Sequence, residues 1–294
     1  MAEDIKAIDI LNHPSYCIPE LAEKMFEAEE FQIMMQTTFK GVGSKEALVR
    51  MFTRGSVEAV IAEMDEAGYD KIVITDTKMW SFRKHMRLIM DMGIDLVHEL
   101  VEKSKGRFIG SASYNPFRIE QSLREVEKGV KEYGFKMVWF HPITFGIAPN
   151  DKKNYPLYAK CLELGIPVVF QVGHSAEVLP SEVGHPMYAD EVAIDFPNLK
   201  MVLSHTGYPW IDEWCSMLWR HPNVYGDISA YFPSSLDPKL VQFMDRQGRD
   251  KVIFGTDGFG LKRCKQEFMA LPVKDETKRK VLRENALKVL GLES

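Results

Sequence analysis

Eight short β-rich runs, each followed by a helical or loop stretch, constrain this chain more than any other feature. They are "AIDIL" (7–11), "KIVITD" (71–76), "RFIGSAS" (107–113), "KMVWFH" (136–141), "IPVVFQ" (166–171), "KMVLSH" (200–205), "NVYGDIS" (223–229) and "KVIFGTD" (251–257). Most are nearly continuous apolar runs, the pattern of parallel strands covered on both faces. Helical periodicity fills the gaps. In "SVEAVIAEMDEAGY", Val57, Val60, Ile61 and Met64 form one stripe and Gly68 ends it. "IEQSLREVEKGVKEYG" and "PLYAKCLELG" likewise stop at a glycine. Eight β-then-α units in a chain of 294 residues predict an α/β fold, the (β/α)8 TIM barrel. A doubly wound open sheet is the alternative, but "LNHPSY" after the first run lacks the Gly-rich turn that such sheets favour. The expected layout is one domain over 1–294. A helical insertion at about 19–54, carrying Phe31, Met34, Met35 and Phe39, is read as a lid or an oligomer contact.

Composition narrows the function classes. A net charge of −5 gives no electrostatic footprint for nucleic acid. Hydrophobic content of 45% and charged content of 27% suit a chain with a large core, and no apolar run is long enough for a membrane span. Cys17, Cys161, Cys215 and Cys264 show no CxxC pair and read as reduced thiols, so a cytoplasmic setting is expected. The expected partner is a small-molecule substrate, with homo-oligomerisation left open.

In such a barrel, chemistry gathers at the C-terminal strand ends. His13 follows the first run, His141 ends the fourth, His174 lies just past the fifth and His205 ends the sixth. Asp227 lies within or at the end of the seventh run, and Asp257 ends the eighth. His85, His98, His185 and His221 fall on helices or loops. "FQVGHSAEVLPSEVGHP" reads as a long active-site loop. In "LSHTGYPW", a tight turn at Thr206-Gly207 aims His205 at the barrel mouth, although the same glycine also suits an ordinary β/α turn. Asp257 in "FGTDGFG" has helix capping as its alternative role. Trp80, Trp139, Phe145, Tyr208 and Trp210 suggest a planar ligand, or ordinary rim packing.

At these residues the chain resembles the amidohydrolase superfamily, in the branch related to aminocarboxymuconate-semialdehyde decarboxylase. The resemblance rests on "YPLYAKCLELGIPVVFQVGH", "DEVAIDFPNLKMVLSHTGYPWIDE", "HPNVYGDIS" and "DKVIFGTD", in that order, and covers most of the chain. It implies one divalent metal such as zinc, held by two ligands on the first strand, a histidine after the fifth and an aspartate after the eighth. A histidine after the sixth would work on water or substrate. On this chain those positions are Leu11 and His13, Gln171, Asp257 and His205, and Trp139 stands where other members carry a lysine.

Leucine and tryptophan cannot ligate, so His13 and Asp257 remain, with His174 able to join if its loop bends back. The departures favour a site without metal over one with a weakly held ion. The resulting expectation has His205, Asp257 and His174 as catalytic groups, and His141, Gln171, Trp139 and Tyr208 as substrate-binding groups. The leading activity is hydrolysis of a carbonyl compound, with His141, His174 or a metal facing the oxyanion. A subgroup with the same glutamine and later histidine is associated with C–C cleavage of aromatic β-ketoacyl-CoA thioesters. A non-oxidative carboxy-lyase and a non-catalytic ligand-binding barrel are the alternatives.

Overall fold

The computed structural model describes residues 5–37, 39–81, 86–177 and 179–293. Among the described residues there are ten strands: β1 (Ala7–Asn12), β2 (Tyr69–Thr75), β3 (Lys78–Ser81), β4 (Arg87–Asp91), β5 (Phe108–Ser113), β6 (Met137–Phe140), β7 (Val168–Gln171), β8 (Met201–Ser204), β9 (Val224–Asp227) and β10 (Val252–Ile253). Eight of them form one sheet in the order β1-β2-β5-β6-β7-β8-β9-β10, and each neighbouring pair within that order is parallel. The ends of the sheet meet. Ile10 N–H donates to the Phe254 carbonyl at 3.2 Å, and Asp257 N–H donates to that of Leu11 at 3.0 Å. Helices lie between the strands, giving the (β/α)8 barrel that the sequence rhythm predicts.

All eight predicted runs appear; β1 gains Asn12, β2 begins two residues earlier at Tyr69 and ends one residue sooner, and the other six are trimmed. The last shrinks most, to two residues. Gly255 explains part of this: a Cβ there would meet the Ser229 Cβ at 2.9 Å and Ile10 at 3.3 Å, so the chain crosses the seam where only glycine fits. Leu11, Val73, Ile109, Trp139, Val169 and Val202 share one buried apolar cluster with other strand residues. A larger cluster joins the remaining strand residues to the surrounding helices.

The predicted insertion contains α1 (Pro19–Met25), α2 (Glu29–Gln36) and α3 (Lys45–Met51). Each is too short to be stable alone and is held by packing. Ala22, Phe26, Phe31, Met34 and Leu48 cluster with Met79 of β3. The antiparallel hairpin β3–β4, which the sequence rhythm does not anticipate, is therefore part of the same cap. Its root is ionic. Lys78, 3% exposed, lies 3.0 Å from Asp76, 2.7 Å from Asp91 and 3.3 Å from Glu125. Asp76 also accepts the Gly93 N–H at 2.8 Å, so one carboxylate grips both ends of the hairpin. Ser81 of β3 donates to Glu30 of α2, tying the hairpin to the helices.

Candidate active site

The strand ends and the cap enclose a cavity of about 360 Å³. His13, Thr77, Trp139, His141, Gln171 and His205 line it from the barrel side, together with Asp257 and Glu177. The backbone works to aim two of these groups. His205 and Thr206 have φ of 72° and 63°, and Asp257 has φ of 55°. Non-glycine residues in this region cost about 1–3 kcal/mol each and persist only where surrounding bonds hold them. Here the Thr206 N–H donates to the Asp227 carbonyl at 3.1 Å, and the His205 N–H to Asp227 Oδ1 at 3.3 Å. The turn is also clamped from outside: His174 N–H donates to the Tyr208 carbonyl at 2.8 Å.

Of the four histidines that line the cavity, His13, His141 and His205 are each coupled to an acid, His205 through a serine. His13 Nε2 lies 2.9 Å from Asp257 Oδ1, and its Nδ1 lies 2.7 Å from Thr77 Oγ1. Burial alone would raise the Asp257 pKa. The His13 hydrogen bond and the nearby His205, His13 and His141 outweigh it and hold the carboxyl below its usual range. An ionised carboxylate only accepts, so His13 Nε2 carries a proton, while Nδ1 meets the Thr77 hydroxyl, which also lies 3.3 Å from the Thr75 carbonyl. Asp257 has a side chain 19% exposed and a second oxygen not engaged by His13, so it can reach a water or a substrate.

His205 is held differently. Its Nδ1 lies 2.8 Å from Ser229 Oγ, and that hydroxyl donates to Asp227 Oδ1. Asp227 Oδ1 also receives the Ser229 N–H at 3.0 Å. The single hydroxyl proton of Ser229 is thus committed to Asp227, and its lone pair accepts His205 Nδ1–H. In the neutral ring this leaves Nε2 as a lone pair. The third couple is His141 and Glu177, with Nε2 and Oε2 3.6 Å apart, an ion-pair distance beyond a hydrogen bond. Burial pushes the Glu177 carboxyl up, but His141 prevails and the net shift is downward.

The donor set does not fit a resident divalent cation. Leu11 and Trp139 are 0% and 2% exposed within the apolar cluster, so both walls that would carry ligands are hydrocarbon and indole. His13 and Asp257 turn their donor and acceptor atoms on each other. His174 does not join them. It is exposed at the rim, with Nδ1 2.7 Å from Ser181 Oγ and its ring near Tyr208 and Trp210. Among the described residues no three His, Cys, Asp or Glu side chains are grouped to hold a metal.

Of the five aromatics expected at the mouth, Trp139 and Tyr208 line the cavity. Trp80 packs on Phe117 and Phe145 stacks on Phe140, because hairpin and core claim them. Trp210 covers His185 instead. Gln171, 4% exposed, ends β7 and faces the cavity, as does His141. The remaining histidines serve elsewhere: His98 stacks on Tyr133 and His221 binds Asp190 at 2.6 Å, while His85 lies outside the described residues. None of the four thiols lines the cavity, and no helix among the described residues is long and apolar enough to cross a membrane.

Sequence reasoning missed Thr77, Glu177 and Ser229. Ser229 carried a signal: it stands two residues after Asp227, the spacing that puts both on one side of an extended segment. Glu177 carried none, since only the path of the loop after β7 brings it to His141.

The amidohydrolase family model matches residues 77–292. Among curated proteins none matches the chain in sequence. Solved structures share its fold. An uncharacterized TIM-barrel protein from Bordetella bronchiseptica is 24% identical, with 98% of this chain and 99% of that one covered and a TM-score of 0.79. A 5-carboxyvanillate decarboxylase from Novosphingobium aromaticivorans, complexed with manganese, is 18% identical over 99% and 100%, with a TM-score of 0.69. A 4-oxalomesaconate hydratase from Rhodopseudomonas palustris is 20% identical over 97% and 96%, with a TM-score of 0.62.

Proposed function

The chain belongs to the amidohydrolase family, and from that premise we propose that it is a hydrolase of a carbonyl-containing small molecule that works without a resident metal. The observation that carries this reading is the Asp227–Ser229–His205 chain, which leaves His205 Nε2 as a base beside Asp257. His205 takes a proton from a water that the free oxygen of Asp257 orients, and the water attacks the carbonyl. His141 faces the oxygen on which charge develops, and Gln171, Trp139 and Tyr208 hold the substrate. His205 then returns its proton to the leaving group. His174, at the rim, contacts substrate rather than the reacting atoms. All of 1–294 is taken as one domain.

The finer form of this reading is C–C cleavage of an aromatic β-ketoacyl-CoA. Water adds to the ketone, the bond to the α-carbon breaks, and an aromatic acid and a shortened acyl-CoA leave. The second reading is a carboxy-lyase, favoured by the name of the manganese-bound decarboxylase of like fold. Leu11 and Trp139 weigh against it, because that chemistry gains from a cation on the carboxylate.

Assays of aryl esters, lactones, amides and aromatic β-ketoacyl-CoA thioesters, alongside carbon dioxide release from aromatic acids, separate the two. Hydrolysis should survive chelation in protein shown by elemental analysis to hold less than one metal per chain. His205→Ala should lower kcat by about 10²–10⁴ with an unchanged circular dichroism spectrum. Carbon dioxide release that needs added manganese, with no hydrolysis of any ester, would overturn the proposal.

A further inference from the structure

The outer half of the cavity is built by the cap, and its chemistry is uniform. Phe31 and Met34 enter from α2, Met79 from β3, and Phe39, Phe52 and Phe259 complete the wall. Those last three rings pack edge to face on one another, with centroids 5.6–6.0 Å apart. Phe259 stands two residues beyond Asp257, so this apolar wall adjoins the acid–base end of the cavity.

No described lining residue is Lys or Arg. Two cations that belong to the cap and its root are already engaged. Arg54 binds Glu63 at 2.7 Å and lies over the Tyr16 ring, and Lys78 is surrounded by three carboxylates. The described ionisable groups at the floor supply no unpaired cation for a full carboxylate either. Asp257 and Glu177 are both held ionised, each with its own histidine, and His205 turns a lone pair inward. A carboxylate placed here would be a buried charge without a partner, which is costly.

We propose that the part of the substrate buried in this cavity is uncharged and apolar, an aryl or alkyl ketone or ester whose hydrocarbon end fills the Phe39–Phe52–Phe259 chamber, and that free carboxylates are excluded. A cavity of this size is at the small end for ligand sites, which suits one ring with a short chain. Methionine lining lets the chamber adapt to more than one ring shape. The proposal deepens the hydrolase reading by naming its substrate class, but its test does not depend on turnover.

The matched probes are 4-phenyl-2-butanone and 3-phenylpropionate, alike in shape and different in charge. Titration calorimetry on the unaltered protein, with chelator and with added manganese, should show the ketone binding on the order of 100-fold tighter in both conditions. A second arm places a cation in the chamber. Met34→Lys, or Met79→Lys if the first fails to fold by circular dichroism, should raise the acid's affinity by about 10-fold or more. Equal or tighter binding of the acid to the unaltered protein, with or without manganese, overturns the proposal. So does failure of the ketone to bind, or indifference of the acid to the new lysine. If the ketone binds as described and no ester is turned over, the hydrolase reading falls and the substrate class stands. If esters are turned over and the acid wins, the reverse holds.

Discussion

Replacing Ser229 with Ala isolates the link between Asp227 and His205. The substitution removes one hydroxyl that receives His205 Nδ1–H at 2.8 Å and passes its own proton to Asp227. Asp227 keeps the backbone N–H groups of Ser229 and His205, at 3.0 and 3.3 Å, so its carboxylate is not stranded. Folding should therefore lose about 1.5–3 kcal/mol, the worth of one hydrogen bond involving a charged group. Catalysis should lose a similar amount on top of this. When His205 becomes cationic, the bond through Ser229 strengthens, and bonds of that kind are worth about 1.5–3 kcal/mol. At 1.36 kcal/mol per tenfold, that is a fall in kcat of roughly 10- to 150-fold. KM should hardly move, because Ser229 does not line the cavity. Steady-state kinetics on the best ester, with Ser229→Thr as the variant that restores a hydroxyl, provide the assay. A Ser229→Ala enzyme with unchanged kcat, or a loss confined to KM, would refute the relay.

Three further outcomes follow from the geometry. Gly173→Ala should destabilise the protein by about 2–4 kcal/mol in urea unfolding, since φ is +84° and the new Cβ would meet the Tyr208 carbonyl oxygen at 2.6 Å; unchanged stability would show that the loop and the His205 turn are not pressed together. Burial raises the Asp9 carboxyl to about 6, against hydrogen bonds from Thr256 and the Leu11 N–H that pull it down. The native chain therefore keeps a proton that the unfolded chain releases near pH 4, and stability falls by about 3 kcal/mol as pH rises from about 4 to 6. Asp9→Asn should escape that fall, and parallel pH profiles of unfolding for the two proteins would contradict it. Leu11→His should cost about 2–4 kcal/mol by burying an imidazole among hydrocarbon, and Leu11→His with Gln171→His should bind zinc more tightly in a chelator competition. A stable double variant that binds zinc no better would mean these two positions do not face one point.

The barrel was legible because parallel strands covered on both faces leave unbroken apolar runs, and each of the eight runs is present. The hairpin β3–β4 was not. "KMWS" and "RLIMD" are short, and what holds them is Lys78 among three carboxylates, partners spread from residue 76 to 125. Strand-end position found His13, His141, His205 and Asp257, which all reach one cavity. For the aromatics it left ligand contact and ordinary packing both open, since a ring's destination depends on which neighbour claims it: Trp139 and Tyr208 line the cavity, Phe140 takes Phe145, and the cap adds Phe39 and Phe52. Glu177 and Thr77 depend on loop paths that no periodicity encodes.

The seam of the barrel bears on the order in which this protein can assemble. His13 and Asp257 are 244 residues apart in the chain and meet only where β1 closes on the segment after β10. Loop closure over such a span comes after local β/α units have formed. A chain still being synthesised can complete its first six or seven units and cover much of its apolar surface, yet it has no His13–Asp257 couple until its last strand docks. The acid–base site is therefore a report of complete closure: any fragment ending before residue 257 lacks it, however well the rest has folded.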